Sequence, residues 1–341
     1  AVQWDGVTRP YTWVGDNAEN FYETGTTFIN TLAISGSKDN INFRFSASDI
    51  SNEDIMPNAE LNRKNFGLNI GATLAEKLTL STNVKYSREF AQNRPRLSDA
   101  PGNGNYTVTA LPGNVDVRLM EPGANEDGTE RTYSSNVYSQ NPYWAAYNFR
   151  NEDTKNRIIA STSIRYDILD WLYATARVGI DDYTRRGTGI TPWGTAYQPE
   201  GSMNESERRY TQLDSDFMIG IDKDITDKWA TNSFVGASNN MQERETLQLN
   251  GSKFIVPGLE NVKNTKDQSH SYSYSKQKMN SVYGSVEVSY DNLAYLTVTA
   301  RNDWFSTLSA PGKTTPNDDL YTSANVSIIL SQSLIHISEP T

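Results

Sequence analysis

The chain has 341 residues and a formal net charge of -10, with 36% hydrophobic and 11% aromatic residues. That length fits one large or two average domains, and a disordered chain would carry fewer aromatics. The basic clusters Arg185-Arg186 and Arg208-Arg209 are too short to track nucleic-acid phosphates, and the lack of cysteine excludes disulfides, thiolate zinc sites and cysteine nucleophiles.

The opening, AVQWDGVTRP, has neither a basic n-region nor an apolar h-region, so no export signal is expected in it. Beyond it, alternating apolar and polar residues predict eleven strands, at 25–35, 41–50, 62–74, 78–91, 156–168, 171–185, 208–222, 228–246, 277–290, 293–302 and 322–331. No helical period runs long enough to compete. No window approaches eighteen consecutive apolar residues, which excludes a transmembrane helix; a membrane strand needs only about 9–11 alternating residues.

The connections alternate in length. Short ones are expected at 36–40, 75–77, 169–170, 223–227 and 291–292, and long ones at 51–61, 92–155, 186–207, 247–276 and 303–321. Loops beyond about 12–15 residues are uncommon in compact soluble domains. Four of the ten connections exceed that, all at one rim, which is the pattern of an up-and-down outer-membrane barrel.

Side-chain alternation agrees. Ile158, Ala160, Thr162, Ile164, Tyr166 and Ile168 share one face, against Ile159, Ser161, Ser163, Arg165 and Asp167. In the last hairpin Val282, Gly284, Val286, Val288 and Tyr290, with Ala294, Leu296, Val298 and Ala300, oppose Tyr283, Ser285, Glu287, Ser289, Tyr295, Thr297, Thr299 and Arg301. Tyr166, Trp171, Trp229, Tyr290 and Tyr295 gather near the short turns, as an interfacial aromatic girdle does. Periodicity alone leaves a soluble β-sandwich or barrel with aromatic core residues open; the one-sided loops favour the membrane barrel. Eleven strands leave two unpaired edges, whereas bacterial barrels have even strand numbers, so either the count is off by one or this is a piece of a larger barrel, cut at both ends.

The stretch YETGTTFINTLAISGSKDN and its continuation through PNAELNRKNFGLNIGATL resemble the early barrel of SusC/RagA-type TonB-dependent transporters. QNPYWAAYN at 140–148 resembles that family's NPYW loop segment, and LTVTARNDWFSTLS at 296–309 resembles one of its strand ends. The likeness covers residues 20 to about 330. LYTSANVSIILSQ fits the family less well, and SLIHISEPT at 333–341 resembles translated sequencing-adapter read-through, so a non-native tail containing His336 is expected there.

The resemblance implies an all-β chain: residues 1–332 as an antiparallel up-and-down transmembrane segment of a larger, about 22-stranded barrel. It also implies outer-membrane localisation and lipid contact. The whole protein would import oligosaccharides or peptides, with a SusD-like surface lipoprotein above the loops and coupling to the TonB complex through missing N-terminal parts. The alternative is a soluble or surface-attached β-sheet glycan-binding protein.

Signals for catalysis are few. His270 stands in KDQSHSYSYSK, read as a solvated loop, and no nucleophile elbow, zincin motif or phosphate loop occurs. Asp214 and Asp216 share a face, as do Asp222 and Asp224, but nothing sets a pair at glycosidase separation; an all-β glycoside hydrolase is a third reading. NEDGTE at 125–130 resembles a calcium loop without its full spacing. No catalytic, cofactor or metal residue is therefore assigned. Loop aromatics Tyr138, Tyr143, Trp144 and Tyr147 are the candidates for ligand or partner contact, with packing of the loop on itself as the other reading.

Overall fold

A computed structural model describes residues 1–312, 314 and 316–329, so the expected tail at 333–341 lies outside the described residues. Eleven strands form one antiparallel sheet in sequence order: β1 (Thr26–Lys38), β2 (Ile41–Glu53), β3 (Glu60–Leu74), β4 (Leu78–Gln92), β5 (Arg150–Leu169), β6 (Leu172–Thr191), β7 (Ser202–Asp224), β8 (Trp229–Phe254), β9 (Thr265–Tyr290), β10 (Ala294–Phe305) and β11 (Asp318–Ile328). Each strand pairs only with its neighbours in sequence, which is the up-and-down arrangement of a barrel segment.

Register makes the apolar face continuous. Ile34, Phe45, Leu68, Val84 and Ala160 are successive cross-strand partners from β1 to β5. Farther on, Ala176 faces Phe217, Ile219 faces Val235, and Val286 faces Val298. These side chains stay bare: Val235 is 59%, Val286 56% and Phe217 51% exposed. A soluble protein buries such a face.

Strands outrun their apolar alternation. Both β8 and β9 have 26 residues, against the 9–11 a bilayer needs. On β9 the apolar face ends near Val282, yet pairing continues to Thr265 through His270, which stands opposite Leu249. His270 thus lies in a strand, not the expected loop. The loops correspondingly shrink to 54–59, 192–201, 255–264 and 306–317, and only 93–149 exceeds the usual range. Outside an apolar environment a strand can be polar on both faces, so the period-2 signal vanishes while backbone pairing does not.

The short turns hold smaller corrections. Asp291 and Asn292 both adopt left-handed φ, as their short polar side chains allow, and Leu293 completes the connection before Tyr290 pairs with Ala294. Trp229 packs on Tyr290 at 4.9 Å, with Tyr166 exposed at the same rim. Tyr295 does not belong to that girdle: it faces Ser289 across the ladder, on the polar side.

Among the described residues three short helices lie outside the sheet: α1 (Asn17–Phe21), α2 (Gly104–Ala110) and α3 (Pro142–Tyr147). With the 3₁₀ turn Val117–Met120 they build a small cap over the loop rim. Its core joins Phe21, Met56, Val108, Val117, Met120 and Tyr143, so the N-terminal segment, the 54–59 loop and the 93–149 loop are packed together.

Candidate functional site

The polar face carries cross-strand charge networks. Near mid-strand, Arg177 of β6 donates to Asp216 of β7 through Nε at 3.0 Å and Nη2 at 2.8 Å. The Tyr283 hydroxyl of β9 donates to the other Asp216 oxygen, reaching across β8. That reach requires Gly236, because a Cβ there would lie 2.7 Å from the Tyr283 ring. Arg301 of β10 lies over the same ring at 5.5 Å and donates to Asp303 at 2.6 Å and to Ser281 at 2.8 Å.

Toward the loops, Arg157 grips Asp181 through two nitrogens, at 2.8 and 2.5 Å. Beside it Tyr183 and Tyr210 stack at 5.2 Å, with Lys155 over Tyr183 at 4.6 Å. One step higher, Glu89 accepts from Arg63 and Arg94, and buried Asp153 accepts from Arg94 at 3.2 Å and Arg185 at 2.9 Å. At the loop rim a cavity of about 570 Å³ is walled by amides and hydroxyls, among them Asn204, Gln248, Asn250, Gln268 and Ser269. Amides both donate and accept, so this wall suits ligands rich in hydrogen-bonding groups, such as peptide main chains or sugars.

Of the two carboxylate pairs singled out from the sequence, Asp214 and Asp216 are occupied. Asp216 is held by Arg177, Asp214 accepts from Gln212 at 2.8 Å and also from Asn240, and Asp182, on the apolar side, accepts from Thr211 at 2.6 Å. Among the described residues no group of three metal-ligating side chains occurs. The calcium-like NEDGTE segment is a turn in which Asp127 accepts from Thr129. Its last residue, Glu130, points inward and is 4% exposed. One Glu130 oxygen accepts from the Asn141 N–H at 3.0 Å and the other from the Ala196 N–H at 2.8 Å, which ties the 93–149 loop to the 192–201 loop. Burial pushes the Glu130 carboxyl above the usual range, against the pull of these donors.

The four aromatic candidates divide. Tyr143 is 5% and Trp144 1% exposed. Tyr143 meets Phe21 edge-on at 5.1 Å, and burial pushes its phenol up to about 12. The Trp144 indole N–H donates to Thr195 Oγ1 at 3.1 Å. Both support the cap from within. Tyr138 is 62% and Tyr147 41% exposed, so these two face solvent.

Asn141 organises the segment, which the sequence reading passed over. Its Oδ1 accepts from the N–H groups of Tyr143 and Trp144, capping α3, while its Nδ2 donates to Met120 O at 2.8 Å and Arg131 O at 3.0 Å. Asn before Pro at a helix start was the available signal.

No family model and no curated protein matches the chain. Among solved structures it is similar to the RagAB peptide transporter, with TM-score 0.77 and 15% identity over 95% of this chain and 36% of that one. It is also similar to P. aeruginosa FpvA bound to heterologous pyoverdines, with TM-score 0.58 and 12% identity over 90% of this chain and 39% of that one. For BauA, the ferric preacinetobactin receptor from Acinetobacter baumannii, the values are 0.52 and 12% over 89% and 44%. The fold is thus that of a β-barrel segment of the kind these transporters and receptors contain. The chain spans little more than a third of the RagAB structure's matched chain.

Proposed function

We propose that residues 1–332 are an internal barrel segment of a SusC/RagA-like, TonB-dependent outer-membrane importer, and that 333–341 are a non-native tail. The observation that carries this reading is the exposed, largely apolar face that register carries from strand to strand, backed by a face of paired charges. Such a sheet is stable with lipid on one side and a polar lumen on the other.

Peptide is the favoured cargo, with oligosaccharide second. The amide-walled cavity suits main-chain hydrogen bonding, and the RagAB structure is described as that of a peptide transporter. A SusD-like lipoprotein would sit over the loop cap, and Tyr138 and Tyr147, exposed there, are available for contact with cargo or with that partner. Coupling to TonB would use parts outside residues 1–332. The occupied Asp214–Asp216 pair and the likeness to transporters and receptors support transport rather than covalent chemistry.

The test is lipid exposure of Trp229. With the chain folded in vesicles containing acyl-brominated lipid, Trp229→Phe should remove much of the quenchable emission and Trp144→Phe little. A monodisperse chain that folds without detergent and is not quenched would favour the soluble glycan-binding reading instead.

A further inference from the structure

Four strands place two contrasting rows side by side on the apolar face. Leu32, Ala47, Phe66 and Tyr86 are successive register partners from β1 to β4. One repeat nearer the loops, Asn30, Asp49, Lys64 and Arg88 form the next row. The Phe66 and Tyr86 rings stack at 6.4 Å, directly below the Lys64–Arg88 pair. Between the larger Leu32 and Phe66, Ala47 leaves a dip, and a groove of about 460 Å³ runs there with Asn30, Asp49 and Lys64 at its polar end.

We infer that this groove binds one acyl chain of an anionic lipid and seats its phosphate headgroup on Lys64 and Arg88. The inference rests on the reading of this face as lipid-facing. Lys64 and Arg88 are both exposed, and the nearby Glu89 on the opposite face is taken by Arg63 and Arg94. Asp49 stands opposite Lys64 in register and offsets part of the charge, so the row keeps a net positive charge. Long basic side chains rooted at the edge of an apolar band extend toward the headgroup layer, where phosphate is the complementary group. Leu32, the Phe66 ring and the Ala47 dip supply the apolar wall for the chain, and Arg88 stands beside Lys64 one strand beyond the groove.

The experiment uses the Phe66→Trp variant in phosphatidylcholine vesicles containing a minor amount of acyl-brominated phosphatidylglycerol or acyl-brominated phosphatidylcholine. The emission added by this tryptophan should be quenched roughly fivefold more effectively by the anionic lipid. Adding Lys64→Gln and Arg88→Gln should bring the ratio near one, Asp49→Asn should raise it, and Ala47→Leu should lower quenching by both lipids. Excess inorganic phosphate should leave the ratio unchanged; its abolition would make this a free-anion site and overturn the lipid assignment. Equal quenching by both lipids before any charge is removed would overturn the groove while leaving the membrane reading intact. Absence of quenching by either would overturn the membrane reading itself.

Discussion

Val286 of β9 stands directly opposite Val298 of β10, and the two are 56% and 46% exposed. Their sequence neighbours Glu287 and Thr297 form the next pair on the other face, where the threonine hydroxyl donates to the glutamate at 3.0 Å. One residue of displacement therefore separates an apolar surface from a hydrogen-bonded one. Val286 lies midway between Val282 and Tyr290, the ends of the apolar run on β9, so Val286→Lys should destabilise the lipid-folded chain by about 2–4 kcal/mol. Glu287→Gln should change stability little. Urea titration in vesicles checks both; equal costs would refute the assignment of faces.

Tyr283 reaches Asp216 only because Gly236 lacks a side chain. Gly236→Ala should displace the ring and cost about 1–3 kcal/mol through overpacking and the lost hydrogen bond. Tyr283→Phe should cost less, since Arg177 still holds Asp216. If the alanine variant is as stable as the parent in the same titration, the ring does not depend on that gap.

Glu130 couples two loops, and its raised pKa sets the sign of a pH effect. The folded form binds the proton more tightly than the unfolded form. Its stabilising contribution is therefore complete below the ordinary glutamate range and is lost as pH rises through the raised value. Protection of the Ala196 amide from hydrogen exchange, corrected for intrinsic rate, should accordingly fall over that interval. In Glu130→Gln this pH dependence should disappear, with weaker protection throughout, because the amide nitrogen cannot accept from a backbone N–H. A profile unchanged by the substitution would remove Glu130 from the linkage.

Among the loop aromatics, burial separates support from contact. Trp144→Ala should loosen the cap by about 3–5 kcal/mol, read as protease sensitivity of the 93–149 loop.

Tyr138→Ala and Tyr147→Ala should leave protease resistance intact and weaken binding of a mixed peptide pool, followed by fluorescence polarisation, about 3- to 30-fold each. Unaltered peptide binding in both variants would exclude them from cargo contact and leave the partner as their only role.

The sequence by itself determined the number of strands, their order and which face is apolar, because alternation survives wherever one side of a strand is apolar and the other polar. The shared face of Val286 and Val298, and the outward run on β5 from Ile158 to Tyr166, were legible for that reason, whereas the register that sets the two valines opposite each other depends on Leu293 joining the turn. Tertiary structure decided where strands end: β9 continues past Val282 to Thr265 with polar residues on both faces, held by backbone pairing that leaves no side-chain period. It also decided that Tyr143 and Trp144 lie inside the cap while Tyr138 and Tyr147 stay outside, and that Glu130 meets Ala196 across 66 positions. These depend on contacts between segments distant in the chain, so local spacing carries no trace of them.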